Sequence, residues 1–155
     1  MSLILENTDQ VPYFTNMRLV LLAVGISATN YDWYISDIET NYGPEKFSSE
    51  DRWMPGEELN LILEGDEIQF IWAVFSAVPK GYRHAVEYSP YVDGNPQYWT
   101  GDEPIPQLPG ALFEIACCDS SAVILVGLPE DAEKKFTQVY PDARPLIDAA
   151  LQRNG

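Results

Sequence analysis

Apolar and polar residues alternate over several short stretches of this chain, which is the pattern of strands that bury one face. Leu3–Glu6 predicts a short opening strand, and residues 31–39 predict a longer one that is rich in aromatic and β-branched residues. On the longer strand, Trp33 and Ile35 share one face and Tyr34 lies on the other. Together they predict a sheet.

Two further pairs of apolar stretches are separated by short polar turns, which is typical of β-hairpins. Leu59, Leu61 and Leu63 alternate along the first stretch, and the second is apolar on both faces, so we place it in the centre of the sheet. The predicted strands are residues 59–63 and 68–78 in the first hairpin, 111–118 and 122–128 in the second, and 82–88 between the hairpins.

Three stretches carry apolar residues at helical spacing. Met17, Leu21 and Val24 predict a helix over residues 11–24, and Gly25 stands where a helix ends with glycine. Acidic residues after Pro129 favour a second helix, which ends before Pro141. Residues 142–152 predict a third.

Residues 89–110 follow no period and contain five prolines and three glycines. An unstructured loop of this length is uncommon in a compact domain and is often functional. We therefore predict one globular domain over residues 1–155, of the α+β class. A mostly antiparallel sheet of five to seven strands carries one N-terminal helix and two C-terminal helices, with residues 89–110 as a long loop.

Negative charge falls in two blocks of the chain, whose net charge is −15. Residues 37–67 hold ten acids against Lys46 and Arg52, and residues 87–119 hold six acids and no Lys or Arg. A clustered negative surface attracts basic partners and repels nucleic acid and anionic membranes. We expect a basic protein partner, no nucleic acid and no membrane. The alternative is that the acids only keep the protein soluble.

The remaining composition bears on location. No apolar run approaches the 18 residues of a membrane span, and the first residues lack a basic signal-peptide region. Cys117 and Cys118 are neighbours within an apolar run, which favours buried thiols in a reducing compartment. We expect a cytoplasmic protein.

Catalytic motifs are missing from the sequence. There is one histidine, His84, and no nucleophile elbow, phosphate loop, dinucleotide fingerprint or zinc-type spacing. With 24 acids, a pair of carboxylates at a suitable spacing is expected by chance. We therefore predict no catalytic residues, no cofactor and no metal. The alternative is a small-ligand-binding protein or enzyme with a pocket under the 89–110 loop, lined by Tyr82 and His84.

Aromatic residues in the polar segments stand beside acids, as anchors of protein interfaces do. They could also fold back over one sheet face as a cover, or form a sugar platform. On the first interpretation, we predict these partner-binding residues: Glu50, Asp51, Trp53, Asp93, Trp99, Asp102 and Glu103.

Three short segments carry a resemblance to known proteins: YDWYI at residues 31–35, QFIWAVF at 69–75 and CDSS at 118–121. In their order, the chain resembles the DUF2691 family of small uncharacterised bacterial proteins, although its Pro-rich segment departs from that family. The resemblance supplies no catalytic residues to carry over to this chain. In type, the chain is also similar to immunity proteins of bacterial toxin systems, which implies a non-catalytic acidic domain that occludes a basic toxin. A third hypothesis is a structural subunit of a larger assembly.

Overall fold

The computed structural model describes residues 1–10 and 15–154, and its strands form one antiparallel sheet. The strands are β1 (Leu3–Glu6), β2 (Tyr31–Thr40), β3 (Arg52–Pro55), β4 (Phe70–Pro79), β5 (Phe113–Cys118), β6 (Ala122–Val126) and β7 (Arg144–Pro145). Their order across the sheet is β3-β2-β4-β5-β6-β1-β7.

Four α-helices accompany the sheet in the described residues: α1 (Met17–Val24), α2 (Gly56–Gly65), α3 (Glu130–Val139) and α4 (Leu146–Asn154). The α+β class and the antiparallel sheet are thus confirmed, but the chain forms four helices where three were predicted. The additional helix is α2.

The sheet is covered on both faces. Because side chains alternate along a strand, Trp33, Phe75 and Ile115 point to one side, where α1, α2 and α3 pack in the main core. Val74 and Ala116 point to the other side, where α4 and residues of the long loop cover them. This double burial explains why the central strands are apolar on both faces.

The first predicted hairpin is wrong, because residues 59–63 belong to α2. Leu59 and Leu63 lie one helical turn apart and are both buried, whereas Leu61 is 70 % exposed. An interval of four residues fits both a strand period of two and a helix period of 3.6. Glu57 and Glu58 in the first turn favour the helix through its dipole.

The start of α2 fits closely against the segment before β2. A Cβ atom at Gly56 would overlap the backbone carbonyl oxygens of Ala28 and Tyr31. The absence of a side chain at this position therefore allows the close approach.

Residues 82–88 do not form the predicted strand. β4 already pairs with β2 on one side and β5 on the other, so it has no free edge for another strand. This segment is instead held by contacts between side chains and backbone, such as the ion pair of Arg83 with Asp32. β3, in turn, occupies residues for which the sequence predicted no strand.

Other predicted elements are confirmed. β1, β2 and the hairpin of β5 and β6 are present, and Asp119 and Ser120 form its turn with φ angles of 52° and 57°.

α1 ends at Gly25 in the left-handed region. It begins at Met17, with Asn16 accepting a hydrogen bond from the Leu19 amide. The helix was predicted to include Thr15 and Asn16, and for these two residues the prediction is wrong. The predicted residues 11–14 lie outside the described residues. α3 and α4 confirm the two C-terminal helices, although α4 begins at Leu146.

Candidate functional site

The segment of residues 82–112 lies over the sheet face opposite α1, α2 and α3 and contains one turn of 3₁₀ helix, Pro96–Trp99. Together with Asp37, Glu50 and Asp51 at its border, we name this surface the loop face. What holds the segment in place decides which of its side chains reach solvent.

A buried polar network fixes the middle of the segment. The Tyr98 hydroxyl donates to Glu114 Oε2 at 2.6 Å, and the Gln107 amide donates to Glu114 Oε1 at 2.7 Å. Gln107 Nε2 donates to the Tyr98 hydroxyl at 2.6 Å. Glu114 is fully buried, so each of these donors compensates for lost water. Burial raises the pKa of Glu114, and the hydrogen bonds that Tyr98 and Gln107 donate to its carboxylate oppose this shift.

Hydrogen bonds also join the two halves of the segment. Gln107 Oε1 accepts from the Tyr91 amide at 3.0 Å, and Gln107 Nε2 donates back to the Tyr91 carbonyl at 3.0 Å. Buried Asn95 donates to the same carbonyl at 2.8 Å. The segment is therefore ordered although it has no regular period.

Strand β2 anchors the segment at its first half. The Ser36 hydroxyl donates to the Pro90 carbonyl at 2.7 Å. Asp37 Oδ2 accepts from the amides of Val92 and Asp93 at 2.8 and 2.9 Å. Asp37 has a φ of 55° at an irregularity in the pairing of β2 with β4, and this bulge turns its carboxylate toward the segment.

Apolar side chains fill the space beneath the segment. Val92, Tyr98 and Leu108 are 4 %, 2 % and 1 % exposed. A groove of ≈ 620 Å³ lies on the opposite side of the sheet, between α1 and α2. The alternative of a pocket beneath the 89–110 loop stays a prediction.

His84 is half-buried near the start of the segment. Its Nδ1 and Nε2 lie 3.0 and 2.9 Å from the carbonyl oxygens of Ala85 and Pro109. The Trp53 indole donates to the His84 carbonyl at 3.1 Å. Each of these contacts involves a backbone carbonyl oxygen, so they hold the His84 ring in place, and none of them is with a carboxylate.

The predicted partner-binding residues separate into two groups. In the first, the Asp37 amide donates to Asp51 Oδ1 at 3.1 Å, and the Asp37 carboxylate binds the Asp93 amide, so Asp51 and Asp93 lie on either side of Asp37. Glu50 is exposed next to Asp51. These three predicted acids are therefore brought together around the bulge at Asp37 in β2.

The second group lies near α4 and the N-terminus. Trp99 is half-buried, with the Arg153 guanidinium 3.8 Å from its ring centroid. Glu103 accepts a hydrogen bond from the Ser2 amide, and Asp102 is exposed beside it. Ser2 precedes β1, which is four strand positions from β2, or about 19 Å at the usual strand spacing. The structure does not bring the two groups into one cluster.

Trp53 lies on edge strand β3, two residues after Asp51 of the first group. Its ring packs edge-on against Tyr34 and His84, with centroids 5.2 and 5.5 Å apart. Trp53 and Trp99 are therefore partly engaged in contacts within the chain.

Other apolar side chains on the loop face reach solvent more fully than the predicted tryptophans. Tyr88, Ile105 and Tyr91 are 81 %, 81 % and 46 % exposed. Ile105 lies two residues before Gln107, whose side chain is bonded to the backbone of Tyr91, so both apolar residues belong to the part of the segment that Gln107 holds together. The position of Tyr91 and Ile105 beside prolines was a sequence signal for exposed turns.

The ion pairs in the described part of the chain leave the acids of residues 87–119 uncompensated. The acids that pair with cations are Glu6, Asp32, Glu57, Asp66, Glu67, Glu130 and Glu133. None of these lies between residues 87 and 119. Of the six acids in that range, Glu114 is buried and the other five are exposed.

The described residues contain no group of three or more His, Cys, Asp or Glu side chains placed to hold a metal ion. Within the same residues, no helix has both the length and the apolar character that a membrane crossing needs. No family model, curated protein or solved structure gives a significant match to the chain, so the resemblance to the DUF2691 family stays a prediction.

Proposed function

We propose that the loop face binds a basic protein and that the chain acts without catalysis, as an immunity protein that occludes the substrate site of a basic toxin. The observation that carries this proposal is the set of four exposed carboxylates without an ion-pair partner among the described residues, beside exposed apolar side chains on one ordered segment. The four are Glu87, Asp93, Asp102 and Glu103. Cys117 and Cys118 are both free thiols, which supports the cytoplasmic location that such a protein needs.

Charge supplies the attraction in this proposal. Glu87, Asp93 and Asp102 are exposed and have no ion-pair partner among the described residues. A surface of one sign raises the association rate with an oppositely charged partner by about 10–10³-fold, and salt screens this effect. The acids therefore determine chiefly how fast and with which partner the complex forms.

Exposed apolar side chains supply the contacts that exclude water. Tyr88, Tyr91 and Ile105 project from a segment that is already held by buried hydrogen bonds. Large side chains on a segment that is already ordered lose little conformational entropy on binding, so they are suitable anchors. Trp53 and Trp99, which are partly buried, would contribute at the border of the contact.

The experiment is co-expression of the chain with the products of the genes that flank its own, scored by growth and by co-purification. For a neighbour that co-purifies, the association rate is measured by stopped-flow fluorescence at about 50 and about 500 mM salt. We expect a toxic neighbour, rescue of growth, and association that slows at high salt.

Charge-reversal variants make the test specific. The double variant Asp93→Lys and Asp102→Lys is expected to slow association by roughly tenfold or more at low salt. The double variant Glu58→Lys and Asp131→Lys, on α2 and α3, makes the same charge change on the opposite side of the sheet and is expected to leave the rate nearly unchanged. A rate that ignores salt, or that falls equally for both sets of variants, contradicts the proposal.

A further inference from the structure

Glu114 is a fully buried acid on β5, and none of the ion pairs among the described residues includes it. Its carboxylate accepts hydrogen bonds from the Tyr98 hydroxyl and the Gln107 amide, and both donors belong to the long segment. These neutral donors reduce the cost of a buried charge, but the pKa of Glu114 stays raised by burial. The contact that holds the segment on the sheet is therefore also a group that favours a bound proton.

The titratable and polar groups around Glu114 do not compensate its charge. From the segment, Tyr98 is neutral, because burial and the Glu114 carboxylate raise the pKa of Tyr98 above that of an exposed tyrosine. On the same face of β5, Cys118 is a thiol, since burial raises its pKa to about 11. Directly across the sheet from Glu114 lie Ser76 on β4 and Val126 on β6, which carry no charge.

The elements further away add no counterion either. The charged residues of α4 are Asp148 and Arg153, and Arg153 is paired with Glu6 at 2.9 Å. β2 contributes Tyr34, which lies one strand beyond β4 in the same row of residues. Among the described residues, no charged side chain contributes to the pKa of Glu114. The protonation of this group therefore depends on burial and on hydrogen bonds.

Ser76 offers an unused hydrogen-bond acceptor beside Glu114. The two residues are directly opposite each other on antiparallel strands, so their side chains share one face with Cβ atoms about 4.5–5.5 Å apart. Ser76 is fully buried, and its Oγ has no hydrogen-bond partner. A protonated carboxyl group has one O–H to donate and keeps acceptor capacity for its other partners. After a rotation of the two side chains, Ser76 Oγ can accept that hydrogen bond.

We propose that Glu114 is a pH-dependent anchor of residues 89–110. With a proton bound, Glu114 donates to Ser76 Oγ, continues to accept from Tyr98 and Gln107, and holds the segment against the sheet. In the ionised form it is a buried charge without a cation, so the segment opens locally more often, because opening returns the carboxylate to water. The inference goes beyond the proposed function and does not depend on it, since it concerns the segment in the absence of any partner.

Opening of the segment becomes more frequent as pH rises. In the open segment Glu114 is exposed and has the ordinary pKa of about 4.3, whereas in the closed segment its pKa is higher. Between these two pKa values the equilibrium constant for opening rises by up to about tenfold per pH unit, and above the higher value it is constant. Acidification through this range closes the segment.

Amide hydrogen exchange of the isotope-labelled full chain, corrected for the intrinsic exchange rate at each pH, measures this opening. The reporters are the amides of Tyr91, Asp93 and Gln107, which donate to side chains that hold the segment, and the amides of β6 report global unfolding. We expect the reporters to be less protected than β6, with an opening constant that rises and then levels off between about pH 4 and about pH 8. The carboxyl carbon shift of Glu114 is expected to titrate at the pH where the rise ends.

Four variants assign the effect. Glu114→Gln cannot ionise and is expected to abolish the pH dependence of opening. Ser76→Ala removes the acceptor of the proton and is expected to lower the titration midpoint of Glu114, whereas Tyr98→Phe removes a donor to the ionised form and is expected to raise it. Ser36→Ala is the matched control, because Ser36 is equally buried but donates to the Pro90 carbonyl. This control is expected to increase opening at every pH and to leave the midpoint unchanged.

Any one of four results would overturn the inference. Glu114 could titrate at the pKa of an exposed glutamate. The reporter amides could be as protected as those of β6, so that the segment opens only when the whole chain unfolds. The pH dependence could persist in Glu114→Gln, or the midpoint could be the same in Ser76→Ala as in Ser36→Ala. The first two results are read from the unsubstituted chain, so they do not depend on the folding of a variant.

Discussion

Tyr98→Phe tests whether the buried network holds the long segment in place. The substitution keeps the aromatic ring and removes a hydroxyl that donates to Glu114 and accepts from Gln107. Tyr98 is 2 % exposed and Glu114 is fully buried, so water cannot replace the lost partner. Leaving a buried polar group without a partner costs about 1–3 kcal/mol, and we therefore expect a loss of about 2 kcal/mol in the free energy of unfolding.

Urea unfolding followed by tryptophan fluorescence measures this loss. For a slope of about 2 kcal/mol per molar urea, the midpoint is expected to fall by about 1 M, with a decrease in Tm of about 4–8 °C. Tyr91→Phe is the matched control, because Tyr91 is 46 % exposed and bonds to the network through its backbone. This control is expected to stay within about 0.5 kcal/mol of the unsubstituted chain.

Equal midpoints for the two variants would refute the reasoning. The Tyr98 hydroxyl would then contribute no more than an exposed one, and the segment would be held by its apolar contacts alone. The loop face could still bind a partner, but its ordered presentation of Tyr88 and Ile105 would need another explanation.

The remaining predictions concern pH and the packing of α2. Because the folded pKa of Glu114 is raised by burial, the folded chain holds this proton after the unfolded chain has lost it, so this group's contribution to stability falls as pH rises above the unfolded pKa. Glu114→Gln is expected to remove that decrease, and urea unfolding midpoints measured from about pH 4 to about pH 8 test this. If the midpoint falls with pH equally in the variant and in the unsubstituted chain, the expectation is contradicted. Gly56→Ala is expected to cost about 1–3 kcal/mol or more through overlap with two backbone carbonyl oxygens, whereas Gly65→Ala, with open space around it, is expected to be neutral or stabilising in thermal unfolding. Leu59→Ala is expected to cost about 2–5 kcal/mol and Leu61→Ala less than about 0.5 kcal/mol, and equal losses would argue against the helix.

The local pattern of apolar residues was sufficient to predict an element where only one period, that of a strand or that of a helix, fitted it. β2 and the hairpin of β5 and β6 could be predicted because aromatic and β-branched residues alternate there and the turn at Asp119 is short. α2 could not be predicted, because Leu59 and Leu63 fit the period of a strand as well as that of a helix. The helix is favoured by Glu57 and Glu58 in its first turn and by the close fit of Gly56.

The candidate site depended more on tertiary structure. Acids such as Asp93 and Asp102 were predicted to reach solvent and do so. Residues 87–119 contain no Lys or Arg that could form an ion pair with them. Glu114 lies in an apolar strand, which was a signal of burial, but its donors are Tyr98 and Gln107, distant by 16 and 7 residues. Trp53 was predicted as an anchor because it is an aromatic residue beside acids in a polar segment, and only its packing against Tyr34 shows that part of its surface is used within the chain.

By itself, the sequence determined the α+β class, several strands, the two C-terminal helices and the sign of the surface charge, because these depend on neighbours in the chain and on composition. Only the tertiary structure decided the strand order, the helical state of residues 56–65 and the exposure of Tyr88 and Ile105. The physical reason is that burial, pairing of polar groups and compensation of charge depend on which distant residues meet. In this chain the long segment that carries the acids is ordered by contacts with β2 and β5 rather than by any pattern of its own.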